Sequence, residues 1–292
     1  MLPTVTMHST SGTPASTTRK GSDVATTPAH TGYAGVNGLT MYYEIHGTGQ
    51  PVVLLHGAFS AIGTSFGALL PDLARTRQVI AFELQAHGRT ADIDRPLSLE
   101  QMADDTVAAL AQLGIAQADF FGYSMGAGVA LRVALRHPPV VRKLVLASVT
   151  YTKSGLHPGL LEGLEHMTPD AMVGSPWHEE YTRIAPHPDA FATLFAKKTH
   201  MDRQTQDVPA EAIQAITAPT LLIIGDSDII RPEHAVELFR LLGGGVAGDL
   251  VGLPRAQLAV LPGTTHVTLV QRVDLLLAII PPFLDAPLPT VP

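Results

Sequence analysis

Between Ala118 and Leu135 the chain runs from a short apolar stretch, Ala118-Asp119-Phe120-Phe121, through Gly122-Tyr123-Ser124-Met125-Gly126 into a segment that is apolar nearly all round (Val129, Ala130, Leu131, Val133, Ala134, Leu135). The first stretch reads as a strand. The last reads as a buried helix that stops at His137-Pro138-Pro139. Passing from one to the other in so few residues demands a sharp turn with a strained residue at its tip, and only small residues fit on either side. Gly122, Gly126, Ala127 and Gly128 meet that demand. Ser124 is thereby set at a helix N-terminus, where the dipole and free N–H groups favour developing negative charge.

The rest of the chain repeats the theme. Asn37-Gly38, a strong two-residue hairpin signal, separates two extended segments, the second running through Leu39–Ile45. Continuous apolar runs occur at residues 52–55, 78–82, 118–121, 144–147, 220–224 and 257–261. Such runs suit strands covered on both faces, as in a parallel sheet. Helical patterns lie between most of them. The clearest begins at Ser98, which is placed to N-cap, with Gln101 completing a capping box. Its apolar positions Leu99, Met102, Val107, Leu110 and Leu113 share a face, and Gly114 ends it. Further helices follow Pro232 and, through Leu275–Ile280, His266. The fold class is α/β with a mostly parallel sheet.

From about Tyr151 to Ile216 no strand pattern occurs, and prolines cut the helical pieces at 158, 169, 176, 186, 188 and 209. We read 151–216 as a helical insertion placed as a lid, against a plain loop-and-helix connection. The core is then 32–150 and 217–292. Residues 1–31, rich in Thr, Ser, Pro and Gly, read as a flexible tail, or as an arm packed on the surface or on a second subunit.

Composition narrows the function classes. A chain of 292 residues buries roughly 75% of its unfolded surface without staples. Its net charge is −7, and its 19 Lys and Arg are scattered, which leaves no footprint for nucleic acid or an anionic membrane. The absence of cysteine excludes disulfides, thiolate metal sites and a cysteine nucleophile. No apolar run makes a signal-peptide core or a membrane span, so a cytoplasmic location is expected.

A serine hydroxyl needs a base. Of the 13 histidines, His266 alone is expected at the carboxyl end of a strand downstream of an acid-bearing loop, after a Pro262-Gly263-Thr264-Thr265 turn. The acid is sought in Gly225-Asp226-Ser227-Asp228. Asp228 precedes an apolar pair and a helix-starting proline and is free to point back into the site, while Asp226 suits bracing the turn. The His56-Gly57-Ala58-Phe59-Ser60 loop comes directly after a strand and offers backbone N–H groups. An oxyanion needs about two such donors. Met125 is one, and Ala58 is preferred over Phe59 for the other. His56 is expected to support the loop by hydrogen bonding. Phe59, Tyr123 and Trp177 are the expected substrate contacts. The insertion also carries Leu156, Leu160, Leu161, Leu164, Met167, Met172, Phe191, Leu194 and Phe195, which either line an apolar pocket or anchor the lid.

These pieces, HGAFS at His56, AHGRT from Ala86, GYSMG at Ser124, GDSDIIRPEH from Gly225 and PGTTH ending at His266, resemble the α/β-hydrolase fold family from about Tyr33 to Leu284. They look most like its cofactor-free carboxylesterase, lactonase and haloperoxidase-like branch. The resemblance implies a cap inserted after the family's sixth strand. It also implies acyl transfer through a Ser–His–Asp triad on a small-molecule ester or lactone, with no metal or cofactor. In relatives the loop after Phe82 usually reads Asp-x-x-Gly-His-Gly, whereas Glu83 and Ala86 stand here. Ser124 argues against epoxide opening and dehalogenation, which use an aspartate. Carbon–carbon bond hydrolysis and perhydrolysis use the same triad, and some relatives keep the triad but act as small-molecule receptors.

Overall fold

The computed structural model describes residues 28 and 30–288. Among them eight strands form one sheet in the order β1-β2-β4-β3-β5-β6-β7-β8. They are β1 (His30–Val36), β2 (Leu39–His46), β3 (Gln50–Leu55), β4 (Arg77–Phe82), β5 (Ala118–Tyr123), β6 (Val141–Ala147), β7 (Thr220–Ser227) and β8 (Ala256–Thr265). β2 pairs antiparallel with both β1 and β4, and all pairs among β3 to β8 are parallel. The chain is therefore α/β with a mostly parallel sheet. No helix among the described residues is long and apolar enough to cross a membrane.

The β1–β2 hairpin closes at Asn37-Gly38, both with positive φ (48° and 81°), the primed turn that the right-handed strand twist favours. Two boundaries differ from expectation. β1 takes His30 and Thr31 from the expected tail, because they pair with Ile45 and Glu44; residues 1–27 and 29 lie outside the described residues. β7 and β8 also run further than their apolar runs. Ser227 pairs with Thr265 past a bulge, so Asp226 and the Pro262-Gly263-Thr264-Thr265 stretch are strand and not loop.

Alternate residues of each central strand enter two cores. Val53, Leu55, Ile80, Phe82 and Phe120 face one side, and Val52, Leu54, Val79, Ala81 and Phe121 face the other. Helices α1 (Ile62–Phe66) and α2 (Leu70–Leu73) cover the second side with the C-terminal helix, and α3 (Leu99–Gln112) and α4 (Met125–Arg136) cover the first. Burial on both faces is why these strands read as unbroken apolar runs. Ser98 caps α3 by accepting from Gln101 N–H at 3.1 Å. The box stays half made, because the Gln101 side chain turns to Asp105 at 3.3 Å.

Between β6 and β7 the chain is helical: α5 (Leu160–Glu165), α6 (Pro176–Ile184), α7 (Phe191–Gln204) and α8 (Ala210–Gln214), with short 3-10 turns. Met172, Tyr181, Phe191, Leu194, Phe195 and Met201 from this segment are buried in the first core. Polar contacts also hold it down. Glu180 accepts from Thr64 N–H at 3.0 Å, and Lys197 donates to the carbonyls of Ile93 and Arg95. The remaining helices, α9 (Pro232–Leu241), α10 (Gly248–Val251) and α11 (Val273–Asp285), come after β7 and β8.

The loop after β4 explains its unusual residues. Glu83 is fully buried, accepts from the backbone and guanidinium of Arg89, and is pushed up to about 7 by burial. Ala86 holds φ 65°. A left-handed backbone costs an L-residue about 1–2 kcal/mol. Burying its methyl returns about 0.8 kcal/mol, and a more restricted unfolded chain returns about 0.4–1 kcal/mol. These gains offset part of the strain, which makes alanine tolerable where the family resemblance expects glycine.

Candidate active site

Ser124 ends β5 and precedes α4 with φ 55° and ψ −118°, a strained conformation for a non-glycine residue. Its backbone is fixed from both sides. Ser124 N–H donates to Ala147 O at 2.9 Å, and Ser124 O accepts from Gly128 N–H at 3.0 Å. The flanking glycines are needed for close approach. A Cβ on Gly126 would lie 2.0 Å from the Leu55 carbonyl oxygen, and one on Gly122 would lie 2.3 Å from Gly126 O. Both obstacles are backbone and cannot swing away. Gly126→Ala is therefore expected to lower stability by about 3 kcal/mol or more. A urea titration checks this, and a midpoint equal to wild type would show that the turn has room for a methyl group.

His266 comes directly after β8. Its Nε2 lies 2.9 Å from Ser124 Oγ, and its Nδ1 lies 2.9 Å from Asp228 Oδ1. With Nδ1–H donated to the carboxylate, Nε2 is left to accept the serine proton. Asp228 is 5% exposed and collects further donors: Ser148 Oγ–H and Gly225 N–H (3.4 Å) at Oδ2, and Ile230 N–H (3.3 Å) at Oδ1. Burial works to raise its pKa. The His266 hydrogen bond and charge, with the Ser148 and Gly225 donors, outweigh it and hold the carboxyl below the usual carboxylate range. Asp226 points elsewhere. It accepts from Gly263 N–H at 2.9 Å and Thr264 N–H at 3.1 Å, bracing the strand end that leads to His266. Ser148 is a participant that the sequence did not announce. Its only sequence signal is its place directly after β6.

The loop from His56 to Ser60 is tied back on itself. His56 Nε2 accepts from Leu84 N–H at 3.0 Å, so its Nδ1–H donates to Gly57 O at 2.8 Å. Ser60 Oγ–H donates to the same carbonyl at 2.8 Å. Gly57 passes beside the serine, since a Cβ there would come within 3.5 Å of Ser124 Cβ. The N–H groups of Ala58, Phe59 and Met125 have no hydrogen-bond acceptor among the described residues. That leaves donors on both sides of Ser124.

The sequence profile of the alpha/beta hydrolase fold family matches residues 50–210, more than half of the chain. The chain belongs to the alpha/beta hydrolase family. This hydrolase is 34% identical over 122 residues to 2-hydroxymuconate semialdehyde hydrolase of Pseudomonas sp. (strain CF600), an alignment covering 41% of this chain and 42% of that protein. It is 25% identical over 260 residues to the putative carbamate hydrolase RutD of Agrobacterium fabrum (strain C58), covering 80% and 94%. It thus spans less than half the length of several curated relatives that it matches. Its fold is like that of the enol-lactonase from Burkholderia xenovorans LB400, with a TM-score of 0.66, 20% identity and coverage of 87% and 100%.

Above Ser124 and His266 the hydrolase has a pocket of about 180 Å³. Its apolar wall includes Leu99, Met125, Leu156, Leu160, Leu161 and Met201. Three expected substrate contacts do not line it. Phe59 has φ 61°, which lays its ring against Phe195 at 5.3 Å. Tyr123 lies under the site, with its hydroxyl donated to His266 O at 2.8 Å. Trp177 packs at the edge of the first core. Phe191, Leu194, Phe195 and Met172 anchor the helical segment and do not line the pocket; the side chain of Leu164 lies outside the described residues. Met201 and Arg132 do line it, and neither stands out in the sequence.

A second buried histidine adjoins His56. The two rings lie 5.1 Å apart, and burial lowers His56 to about 4 and His87 to about 3. His87 Nδ1–H donates to Gln85 O at 2.8 Å. The unfolded chain takes up the His87 proton near pH 6.5, and the folded chain only near 3. This contribution is therefore present above pH 6.5 and is lost as pH falls toward 3. At about 1.4 kcal/mol per pH unit, His87 costs about 2 kcal/mol at pH 5. Glu83, raised to about 7, acts in the opposite sense over part of that range. A difference measurement separates them. His87→Asn keeps a donor for Gln85 O, and its stability deficit in urea at pH 7 is expected to shrink by about 2 kcal/mol at pH 5. A deficit independent of pH would show that His87 does not titrate this way.

Proposed function

We propose that this hydrolase cleaves a carboxylic ester or lactone through an acyl-enzyme intermediate. The observation that carries the reading is the unbroken relay from Ser124 Oγ through His266 to Asp228, with 2.9 Å at each step. His266 Nε2 takes the Ser124 proton as the oxygen attacks the carbonyl carbon. Asp228 keeps the proton on Nδ1 and stabilises the imidazolium that forms. The N–H groups of Met125 and Ala58 receive the oxyanion, Phe59 being the second choice for the latter donor. His266 then protonates the leaving alcohol, and water activated by His266 releases the acid. The segment 151–216 serves as the cap that closes the acyl pocket.

Hydrolysis of a carbon–carbon bond is the second reading, favoured by the 34% identity to a semialdehyde hydrolase. Against it, the loop reads Gly57-Ala58-Phe59-Ser60, without the further glycines and proline usual in such enzymes. An active-site serine phosphonate combined with a short-chain nitrophenyl ester tests the proposal. Labelling at Ser124 with steady ester turnover supports it. Turnover confined to a carbon–carbon diketone would replace it by the second reading, and binding without turnover would make the protein a receptor.

A further inference from the structure

The pocket over Ser124 is floored by one side of α4. Met125, Gly128 and Arg132 line it, at spacings of three and four that place them on one helix face. Arg132 lies seven residues beyond Met125, about 10 Å along the axis. Helical side chains lean toward the N-terminus, which here is the Ser124 end. The arginine is only 4% exposed. Its Nε donates to Glu100 Oε1 at 3.1 Å, and its Nη2 donates to Gln206 O at 3.1 Å. Nη1 has no hydrogen-bond partner among the described residues, yet it is not one of the sealed-off polar atoms. Arg132 is a wall residue of the pocket, and Nη1 is the donor that its protein partners leave unused.

The charges around it are largely paired, Lys198 with Asp202 and Arg132 Nε with Glu100, which leaves the Nη1 edge of Arg132 as the donor an anion would meet. The pocket wall carries Arg132, Lys153 and Lys198 against Asp202 and Asp207, in a chain whose net charge is −7. Both carboxylates are engaged, Asp202 by Lys198 at 2.6 Å and Asp207 by Lys153 N–H at 2.7 Å.

We propose that Arg132 Nη1 recognises a carboxylate at the far end of the acyl group, so that the substrates are half-esters or lactones derived from short dicarboxylic acids. This rests on the reading of Ser124 as the nucleophile. The volume fits. At about 180 Å³ the pocket has far more room than the roughly 10–15 Å³ a single water needs, and Ser124 and Arg132 both line it. The carboxylate would take the unused face of the guanidinium, while Glu100 holds the other face from outside.

The test compares mono-p-nitrophenyl adipate with p-nitrophenyl hexanoate, which has the same chain without the charge. Wild type is expected to favour the adipate ester in kcat/KM by about tenfold or more, as a charge-assisted hydrogen bond implies. Arg132→Gln is expected to bring the ratio near one. Glu100→Gln, which keeps the arginine and removes its competing carboxylate, is expected to raise the ratio and gives a reading independent of how Arg132→Gln folds. Equal or better use of hexanoate by wild type, or a ratio unmoved by both variants, overturns the role of Arg132 while leaving Ser124 untouched. If wild type cleaves neither ester and the phosphonate does not label Ser124, the hydrolytic reading fails and takes this proposal with it.

Discussion

Ser124→Ala is expected to lower kcat on a nitrophenyl ester about 10⁶-fold, with the thermal midpoint close to wild type. The size of the loss reflects the lack of a substitute nucleophile. The Ser148 hydroxyl is committed to Asp228, and those of Ser60 and Ser65 are bonded to each other at 2.7 Å. The effect on stability is small because Ser124 Oγ has one partner, His266 Nε2, and makes no capping bond to α4. Alanine also meets the same backbone strain as serine at φ 55°. Under the proposed mechanism the residual rate comes from the N–H groups of Met125 and Ala58. Single-turnover kinetics with the phosphonate as active-site titrant separates true residual activity from contaminating wild type. A variant retaining more than about a hundredth of the wild-type rate would place the nucleophile elsewhere, because losing a nucleophile costs far more than that.

What made Ser124 legible was local. Its strain, its flanking glycines and the strand and helix on either side are adjacent in sequence, so their geometric demand is written in one run of residues. The same holds for Asn37-Gly38, whose positive φ angles two residues suffice to announce, and for the choice between Asp226 and Asp228, which turns on the neighbours of each: the apolar pair and the helix-starting proline stand after Asp228. The end of β8 was harder. Pro262 and Gly263 read as a turn, but two hydrogen bonds to Asp226 and the pairing of Thr265 with Ser227 keep the chain in the sheet, and those partners are about 38 residues away. The pocket was least legible, since its wall is made where the helical segment meets α4. The expected aromatic contacts are not the lining: Phe59 packs on Phe191 and Phe195, and Trp177 and Tyr123 are used as supports. Arg132 carries no local sign that it lines the pocket. It stands on a helix that is apolar nearly all round, and only the lining it shares with Leu99, Gln206 and Met201 places it at the pocket.

Asp228→Asn is expected to lower kcat about 10⁴-fold while binding of a neutral ester changes little. Every group that meets the carboxylate is a donor: His266 Nδ1–H and Ile230 N–H at Oδ1, and Ser148 Oγ–H and Gly225 N–H at Oδ2. An asparagine must place its NH₂ on one side. Placed at the Oδ1 side, it faces His266 and forces the ring proton onto Nε2, where Ser124 needs a lone pair. Placed at the Oδ2 side, it opposes Gly225 N–H while Ser148 rotates to accept. The histidine then keeps its tautomer but loses the negative charge that stabilises the imidazolium. Both arrangements remove transition-state stabilisation, so the loss should fall on kcat. Ser148→Ala separates the two. In wild type it removes one donor and should cost far less than Asp228→Asn. In the Asp228→Asn background it removes the only partner able to accept from an NH₂ at the Oδ2 side, and should lower activity further if that arrangement is populated. An Asp228→Asn variant within about tenfold of wild type would mean that His266 is oriented without the carboxylate, and the relay through Asp228 would have to be abandoned.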